Sequence, residues 1–163
     1  MGIELFRIDD RLIHGQVVVG WGQPLDIAFI VLVDDAVAES DWEQELYRMG
    51  VPPEMDVYFE SVERAASTLE TRQTESRPGL LVTADITSMS RLAQQCGGIA
   101  RVNLGGIHYR AGRVQKLRYL FLDGAEEREL REMAARGTVI TAQDVPSARP
   151  IPLDAVLSGQ EAM

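Results

Sequence analysis

The sequence contains few of the residues that form disulfides or bind zinc. Among its 163 residues there is one cysteine, Cys96, so no disulfide can form within the chain. No Cys/His spacing resembles a zinc site. Cys96 ends an apolar helical pattern just before Gly97 and Gly98, a position typical of a buried small hydrophobic residue rather than a reactive thiol. The sequence therefore predicts a protein without a metal ion and without a cofactor.

Basic residues are also scarce, since 16 Lys and Arg face 25 Asp and Glu, and Lys116 is the single lysine. The net charge is −9 and the pI is about 4.7. This balance argues against nucleic acid and anionic lipid as main partners, because both require a basic face. The sequence contains no apolar run long enough to span a bilayer and no signal peptide. We expect a cytoplasmic protein.

What the sequence does contain is a globular composition and seven short apolar segments. Hydrophobic residues make up 45% of the chain and charged residues 25%, which suits one domain with a full core. The segments that resemble strands are 3–8, 27–33, 55–59, 79–83, 99–104, 118–122 and 138–142. The segment at 27–33 is almost continuously apolar, as in a strand covered on both faces.

Segments with helical spacing separate these strands. Their apolar positions are Ala38, Trp42, Leu46 and Met49, then Val62, Ala65, Ala66 and Leu69, then Ile86, Met89, Leu92, Ala93 and Cys96. A later helix begins at Asp123, where Glu126 completes a capping box, and ends at Gly137. This alternation predicts an α/β fold, with a single open twisted, mostly parallel sheet of about seven strands and helices on both faces. We expect one domain over residues 1–163.

Two stretches depart from this alternation. Residues 105–116 contain three glycines and three basic residues, and we interpret them as a loop or short hairpin after which strands can leave the parallel pattern. Pro146, Pro150 and Pro152 cluster near the end of the chain. They predict an extended tail that packs on the domain.

A dense polar cluster lies where the first strand meets the first helix. The segment RIDDRLIHGQVVVGW, which begins at residue 7, places Asp9, Asp10, Arg11 and His14 directly after the strand. Ligands of open α/β sheets bind beyond the carboxyl ends of the strands. The helix would begin near His14 or Gly15, and the free N–H groups at its start favour an anion. These features predict a phosphate-binding loop.

A histidine in such a loop can accept a phosphoryl group. Its attacking nitrogen must be neutral and exposed, and the transferring oxygens need positive partners. Arg11 can offer a planar fork to two of these oxygens, and Arg7 is a further candidate phosphate ligand. Asp9 or Asp10 can hold Arg11 or fix the tautomer of His14. The alternative interpretation is a structural or exposed histidine beside surface ion pairs of little energetic value.

The other histidine, His108, lies in the glycine-containing stretch and has no carboxylate neighbours in the sequence. A structural or exposed role is therefore favoured for it, although it could line the same pocket. Gly105, Gly106 and Gly112 could cradle an anion, but their spacing is neither a Walker sequence nor a dinucleotide fingerprint. Turn formation is the favoured role of these glycines.

Four segments of the chain resemble a known family. RIDDRLIHGQVVVGW closely resembles the active-site segment of IIB components of the mannose/sorbose family of the bacterial phosphoenolpyruvate:sugar phosphotransferase system. VDDAVAESDWEQ resembles the exit of that family's second strand with its second helix, VNLGGIHYRAGRVQ its glycine loop, and LREMAARGTVITAQDVP its final helix and strand. The resemblance spans nearly the whole chain. It implies a twisted, mainly parallel seven-stranded sheet flanked by helices.

The resemblance also implies a phospho-relay. A phosphohistidine on a IIA protein would pass its phosphoryl group to His14, which would donate it to a sugar entering through the membrane components IIC and IID. The family's phosphorylated histidine matches His14, its functionally important arginine matches Arg11, and its acidic loop residue matches Asp9. Such an enzyme forms a covalent phosphohistidine, at Nδ1 in this family, and associates with the inner membrane through IIC and IID. A homodimer is a further state to consider.

Two other functions stay open. One is a regulatory module of an incomplete phosphotransferase system, which would carry phospho-His14 but have no sugar acceptor. The other is an α/β domain that binds a nucleotide or small anion with the glycines of residues 105–112, and it would bind without covalent labelling. The sequence does not identify the sugar, because specificity in such a relay lies mostly in the membrane partner.

Overall fold

A seven-stranded sheet organises the protein. The computed structural model describes residues 2–159. Within them the strands are β1 Gly2–Ile8, β2 Phe29–Val33, β3 Asp56–Glu60, β4 Pro78–Thr83, β5 Arg101–Leu104, β6 Val114–Leu117, β7 Leu120–Leu122, β8 Val139–Ala142 and β9 Ile151–Pro152. The sheet order is β3-β2-β4-β1-β5-β8-β9, in which β9 alone pairs antiparallel, while β6 and β7 form a separate hairpin.

Helices cover both faces of this sheet, as the sequence predicted. They are a π-helix at Gln16–Trp21, α1 Asp35–Ala38, α2 Asp41–Met49, α3 Val62–Gln73, α4 Ile86–Gln95, α5 Gly124–Ala135 and α6 Leu153–Ser158. The apolar sides of α3, α4, α5 and α6 pack with the β6–β7 hairpin on one face. The π-helix and α1 cover the other. Between residues 2 and 159, no helix is long and apolar enough to cross a membrane.

The position of β1 explains where a ligand can bind. It lies in the middle of the sheet, parallel to β4 on one side and to β5 on the other. From β1 the chain continues to β2, toward one edge of the sheet, and from β5 it continues to β8, toward the opposite edge. A crevice opens where the connections from two neighbouring strands lead toward opposite edges. The loops that follow β1 and β5 therefore meet at the carboxyl edge of the sheet.

Two predicted segments have a different structure from the one expected. Residues 118–122 were predicted as a strand of the main sheet, but β7 pairs with β6 through a short connection instead. The interpretation of residues 105–116 as a loop or hairpin agrees with this. The seventh strand of the sheet is β9, which lies in the predicted extended tail. Pro152 is tolerated there because an edge strand does not need every backbone N–H.

The first predicted helical face points away from the core. Trp42, Leu46 and Met49 share one side of α2, but their exposed fractions are 69%, 58% and 82%. The inward side of α2 includes Tyr47, which packs against the second core cluster, and Gln44, whose Nε2 donates to two carbonyls of the α1 segment at 3.0 and 3.2 Å. Helical spacing was predicted correctly, but this helix packs with its polar side.

Candidate active site

The site is built on a buried arginine at the end of β1. Arg7 is completely buried. Its NH1 group donates to the side chain of Asn103 and, at 2.8 Å, to the carbonyl of Gln143, and its NH2 group donates to the carbonyl of Asp144 at 3.3 Å. The guanidinium also lies 4.8 Å from the ring centroid of Trp21. These contacts compensate for the loss of water around a buried charge.

The carboxylate of Asp9 connects Arg7 to the histidine. Asp9 is fully buried, and its Oδ2 lies 3.5 Å from the NH2 group of Arg7 and 3.2 Å from Nε2 of His14. Its Oδ1 accepts the backbone N–H of Arg11 at 3.2 Å. Burial alone would raise the pKa of Asp9, but the imidazole, the guanidinium and this N–H together hold that pKa below its ordinary value. Asp9 is therefore an ionised carboxylate beneath the loop.

The two ring nitrogens of His14 have different surroundings. The side chain is 14% exposed. Its Nε2 faces Asp9 at 3.2 Å, in a contact that is electrostatic and not aligned as a hydrogen bond. Its Nδ1 accepts the backbone N–H of Gln16 at 3.3 Å, at the long end of hydrogen bonding. A carboxylate at Nε2 favours the proton on that nitrogen, so the lone pair is on Nδ1.

The turn before His14 is strained. Leu12 has a φ of 57°, in the left-handed region that a branched side chain rarely adopts. Such a conformation costs on the order of 1–3 kcal/mol, and here it is offset by burial of the side chain and by the bond from Leu12 N to the carbonyl of Asp9 at 2.9 Å. The exposed Gly15 follows, and the predicted helix begins at Gln16 in π form, a rare form that occurs frequently at functional sites.

The side chain of Arg11 lies at the surface of the site. It is exposed, and its NH2 group donates to the Oε1 of Gln16 at 3.1 Å. Both side chains line a cavity of about 250 Å³ together with His108, Arg118, Tyr119 and Phe121. Burial raises the pKa of Tyr119 to about 12. The cavity is therefore lined by both aromatic and polar side chains, and Arg11, Gln16 and His108 connect it to the loop that contains His14.

The glycine loop borders the site through Asp10. The N–H of Asp10 donates to the carbonyl of Gly106 at 2.9 Å. The backbone N–H of His108 donates to Oδ2 of Asp10 at 2.7 Å, and Nδ1 of His108 lies 2.9 Å from both carboxylate oxygens. The sequence interpretation of His108 as a histidine without carboxylate neighbours is corrected here, because its neighbour comes from a loop 98 positions earlier.

The predicted residues thus occupy two layers. Asp10, Arg11, His14 and Gly15 lie in the loop at the edge of the sheet, as the sequence placed them. Arg7, a candidate phosphate ligand, lies beneath them. Its NH1 and NH2 groups are directed to protein acceptors, whereas its buried Nε has no hydrogen-bond partner among the described residues. In the part of the chain that the structure describes, no group of three or more His, Cys, Asp or Glu side chains could hold a metal ion.

Sequence reasoning missed the buried partners of Arg7, which are Asn103 and the backbone of Gln143 and Asp144. Asn103 lies within β5, and the other two residues follow β8. The order of strands in the sheet was the signal that could have found them, because the loops after neighbouring parallel strands meet at one edge. No local motif marks them.

Comparison with known proteins places these features in a family. The family described as PTS system sorbose subfamily IIB component matches residues 3–163. The sorbose-specific EIIB component of the phosphotransferase system of Klebsiella pneumoniae is 30% identical over 147 residues, which cover 90% of each chain. The N-acetylgalactosamine-specific phosphotransferase enzyme IIB component 1 of Escherichia coli K12 is 31% identical over 147 residues, 88% of this chain and 91% of that one.

The fold agrees with these relatives. The crystal structure of the IIBSor domain of the sorbose permease from Klebsiella pneumoniae superimposes with a TM-score of 0.87 at 29% identity. The match covers 97% of this chain and 98% of that one. The similarity therefore extends over nearly the whole of both chains.

Proposed function

Because this chain belongs to the sorbose subfamily of IIB components of the sugar phosphotransferase system, we propose that His14 accepts a phosphoryl group from a phosphohistidine on a IIA protein. Phospho-His14 then passes the group to a sugar that enters through the IIC and IID membrane components. The family membership establishes a sugar-specific component with a role in phosphoryl transfer. The nucleophile, the donor and the acceptor are the parts that we propose.

The arrangement of Asp9 and His14 is the observation that supports this proposal. The Asp9 carboxylate 3.2 Å from Nε2 favours the tautomer with its proton on that nitrogen, in which the imidazole presents a lone pair at Nδ1. A bond forms between this nitrogen and phosphorus while the bond between phosphorus and the donor histidine nitrogen breaks. The carboxylate also stabilises the positive charge that the imidazole acquires as the bond forms. Displacement of the Gln16 N–H from Nδ1 frees the lone pair and leaves this N–H for a phosphoryl oxygen.

The surrounding residues divide into a phosphate layer and a supporting layer. Arg11 turns its exposed guanidinium from Gln16 to two phosphoryl oxygens, which it can bind as a fork. Gly15 leaves the approach to the imidazole open, because it has no side chain. Arg7 supports the site by holding Asp9 in place from below.

The second half of the cycle delivers the phosphoryl group to a sugar. The acceptor hydroxyl oxygen forms a bond to phosphorus while the bond between phosphorus and Nδ1 of His14 breaks. Nδ1 recovers its lone pair, and the hydroxyl proton passes to water. This reaction requires the phosphorylated protein to meet the membrane components at the cytoplasmic surface. A sugar-transport role thus places the protein in the cytoplasm, peripherally attached to the inner membrane through IIC and IID.

Phosphoryl labelling tests the proposal. The protein is incubated with phosphoenolpyruvate, enzyme I, HPr and a matching IIA protein, and we expect one phosphoryl group per chain, stable to alkali and labile to acid. His14→Ala should remain unlabelled, while His108→Ala, a matched control at the other histidine, should still be labelled at the end point. Label on the His14→Ala protein would overturn the proposal. Delivery to sugar by membranes containing IIC and IID separates transport from a purely regulatory relay.

A further inference from the structure

The second histidine of this protein makes a contact that the proposed reaction does not use. His108 and Asp10 meet through three short distances, one from the backbone N–H of His108 at 2.7 Å and two from Nδ1 at 2.9 Å. The histidine side chain is 69% exposed. An exposed pair of this kind usually contributes little to stability, so its geometry calls for another explanation.

Asp10 is firmly attached to the loop after β5. Besides its contacts with His108, its backbone N–H donates to the carbonyl of Gly106 at 2.9 Å. The carbonyl of His108 in turn accepts a bond from NH1 of Arg113 at 2.9 Å. Arg113 is anchored to Glu126 of α5 by two hydrogen bonds at 3.0 and 2.8 Å. A series of contacts therefore connects α5 to the turn that precedes His14.

This attachment fixes the carboxylate that faces the nucleophile. Asp9 and Asp10 are neighbours whose side chains point in opposite directions, since Asp9 is buried against His14 and Asp10 contacts His108. Rotation of the turn would move both together. Leu12, with its positive φ, lies between this turn and His14. A strained turn holds its conformation only where the surroundings determine it, and the contact between Asp10 and His108 is one such determinant.

We infer that His108 is a positioning residue for phosphoryl transfer, which acts by holding Asp10 so that Asp9 and His14 keep their reactive arrangement. The inference rests on the proposed function of His14. His108 does not touch the phosphoryl group in this mechanism. Its Nδ1 holds the carboxylate of Asp10, and the attachment to α5 stiffens the loop from which it does so.

Two side chains of the same chemical type can test the role of Nδ1. The amide nitrogen of Asn occupies nearly the position of Nδ1 of a histidine, whereas the amide nitrogen of Gln reaches toward the position of Nε2. His108→Asn therefore keeps a donor for Asp10, while His108→Gln and His108→Ala place none there. All three substitutions are at an exposed side chain, so the fold should be retained, and thermal melts verify this.

The experiment measures single-turnover transfer from phospho-IIA to each variant over a range of IIA concentrations. We expect the saturating rate constant to fall by roughly 3- to 30-fold in His108→Ala and His108→Gln, less than the ~100-fold that a misplacement of about 1 Å can cause. The saturating rate constant of His108→Asn should stay within about threefold of that of the natural protein. The ¹⁵N shifts of the His14 ring should change in the Ala variant and return in the Asn variant.

Three results would overturn the inference. One is a rate for His108→Ala equal to that of the natural protein. Another is an unchanged saturating rate constant with a rise only in the IIA concentration needed for half saturation, which would make His108 a docking residue. The third is a His108→Asn variant as slow as His108→Ala. Each differs from failure of the proposed function itself, in which His14→Ala would still carry the label.

Discussion

At the scale of single residues, the site contains two arginines in different surroundings, the buried Arg7 and the exposed Arg11. Arg7 is buried and has acceptors from two other segments of the chain, Asn103 in β5 and the carbonyls of Gln143 and Asp144 after β8. Arg11, four positions later, is exposed and has one side-chain partner, Gln16. The buried arginine can hold Asp9 but cannot follow a moving phosphoryl group. The exposed arginine can turn toward that group, because little apolar contact restrains it.

This difference gives a prediction for Arg11. If its guanidinium binds two phosphoryl oxygens, Arg11→Lys keeps the charge but loses the fork, so transfer should be slow, and Arg11→Ala should be slower still. A charge-assisted hydrogen bond contributes roughly 1.5–3 kcal/mol, so its loss should reduce the rate roughly 10- to 100-fold at ~1.4 kcal/mol per tenfold. Rapid-quench measurements of transfer from phospho-IIA check this. Melts should show unchanged stability. If Arg11→Ala accepted the phosphoryl group from phospho-IIA as fast as the natural protein, Arg11 would be only a surface residue.

A second residue-scale prediction concerns acid. The pKa of Asp9 is lowered in the folded state, so its ionised form stabilises the fold above its ordinary pKa, and this contribution is lost as the pH falls through the lowered value. Asp9→Asn should cost roughly 3–5 kcal/mol near neutral pH, since it breaks a buried pair. The difference between the two proteins should shrink below about pH 4. Denaturant unfolding at a series of pH values measures the free energy of unfolding of both proteins. A difference that stays constant over all pH values would contradict the prediction.

At the scale of elements, the loop after β5 passes directly over the buried arginine. A Cβ atom at Gly105 would lie 2.4–2.8 Å from three atoms of the Arg7 guanidinium. Because Gly105 has no Cβ atom, the backbone can approach the guanidinium this closely. The π-helix closes the other side through Trp21, whose Nε1 donates to the carbonyl of Asp144 at 3.0 Å. The loop after β5, the π-helix and the segment after β8 thus enclose the guanidinium of Arg7.

Gly105→Ala should therefore disturb both stability and transfer. The new methyl group must displace a guanidinium held by several hydrogen bonds, and overpacking of this kind costs about 1–3 kcal/mol. Gly97→Ala is the matched control, because a Cβ there would meet nothing within 4 Å. Urea unfolding and single-turnover transfer of both variants give the comparison. Equal stability of the two variants would show that the loop can move away from Arg7.

The elements also show where sequence patterns are informative. The strands that became β1 to β5 and β8 are long enough for a run of apolar residues, and the sequence predicted all of them. The two residues of β9 have no periodicity, and their place follows from pairing with β8. For α2, the spacing of Trp42, Leu46 and Met49 predicted a helix correctly, but spacing alone does not determine which side meets the core.

At the scale of the whole molecule, the candidate site depends on residues far apart in the sequence. The first loop was predicted because its residues are adjacent, so one segment contains Asp9, Arg11 and His14. Asn103 lies 96 positions from Arg7, and Gln143 lies 136 positions from it. Only the assembled sheet brings these together, so their role could not be predicted from a local pattern.

Because one sheet organises both core clusters, we predict that the molecule unfolds as one unit. The two clusters lie on opposite faces of the same strands, so loss of the strands exposes both. Calorimetry should show a single transition with equal calorimetric and van't Hoff enthalpies, as for a two-state domain. Near-ultraviolet and far-ultraviolet circular dichroism should change together. Two resolved transitions would contradict the expectation of one domain.

The two tryptophans described above give this protein a built-in optical probe of its own chemistry. Trp21 is 4% exposed and lies against Arg7, whereas Trp42 is open to solvent. A dissolved quencher such as iodide should therefore suppress emission from Trp42 and spare that of Trp21. The emission that remains comes from an indole ring next to the arginine that holds Asp9. If His14 accepts a phosphoryl group as we propose, its arrival can be followed in real time as a change in emission wavelength or intensity, without a dye or a radioactive label.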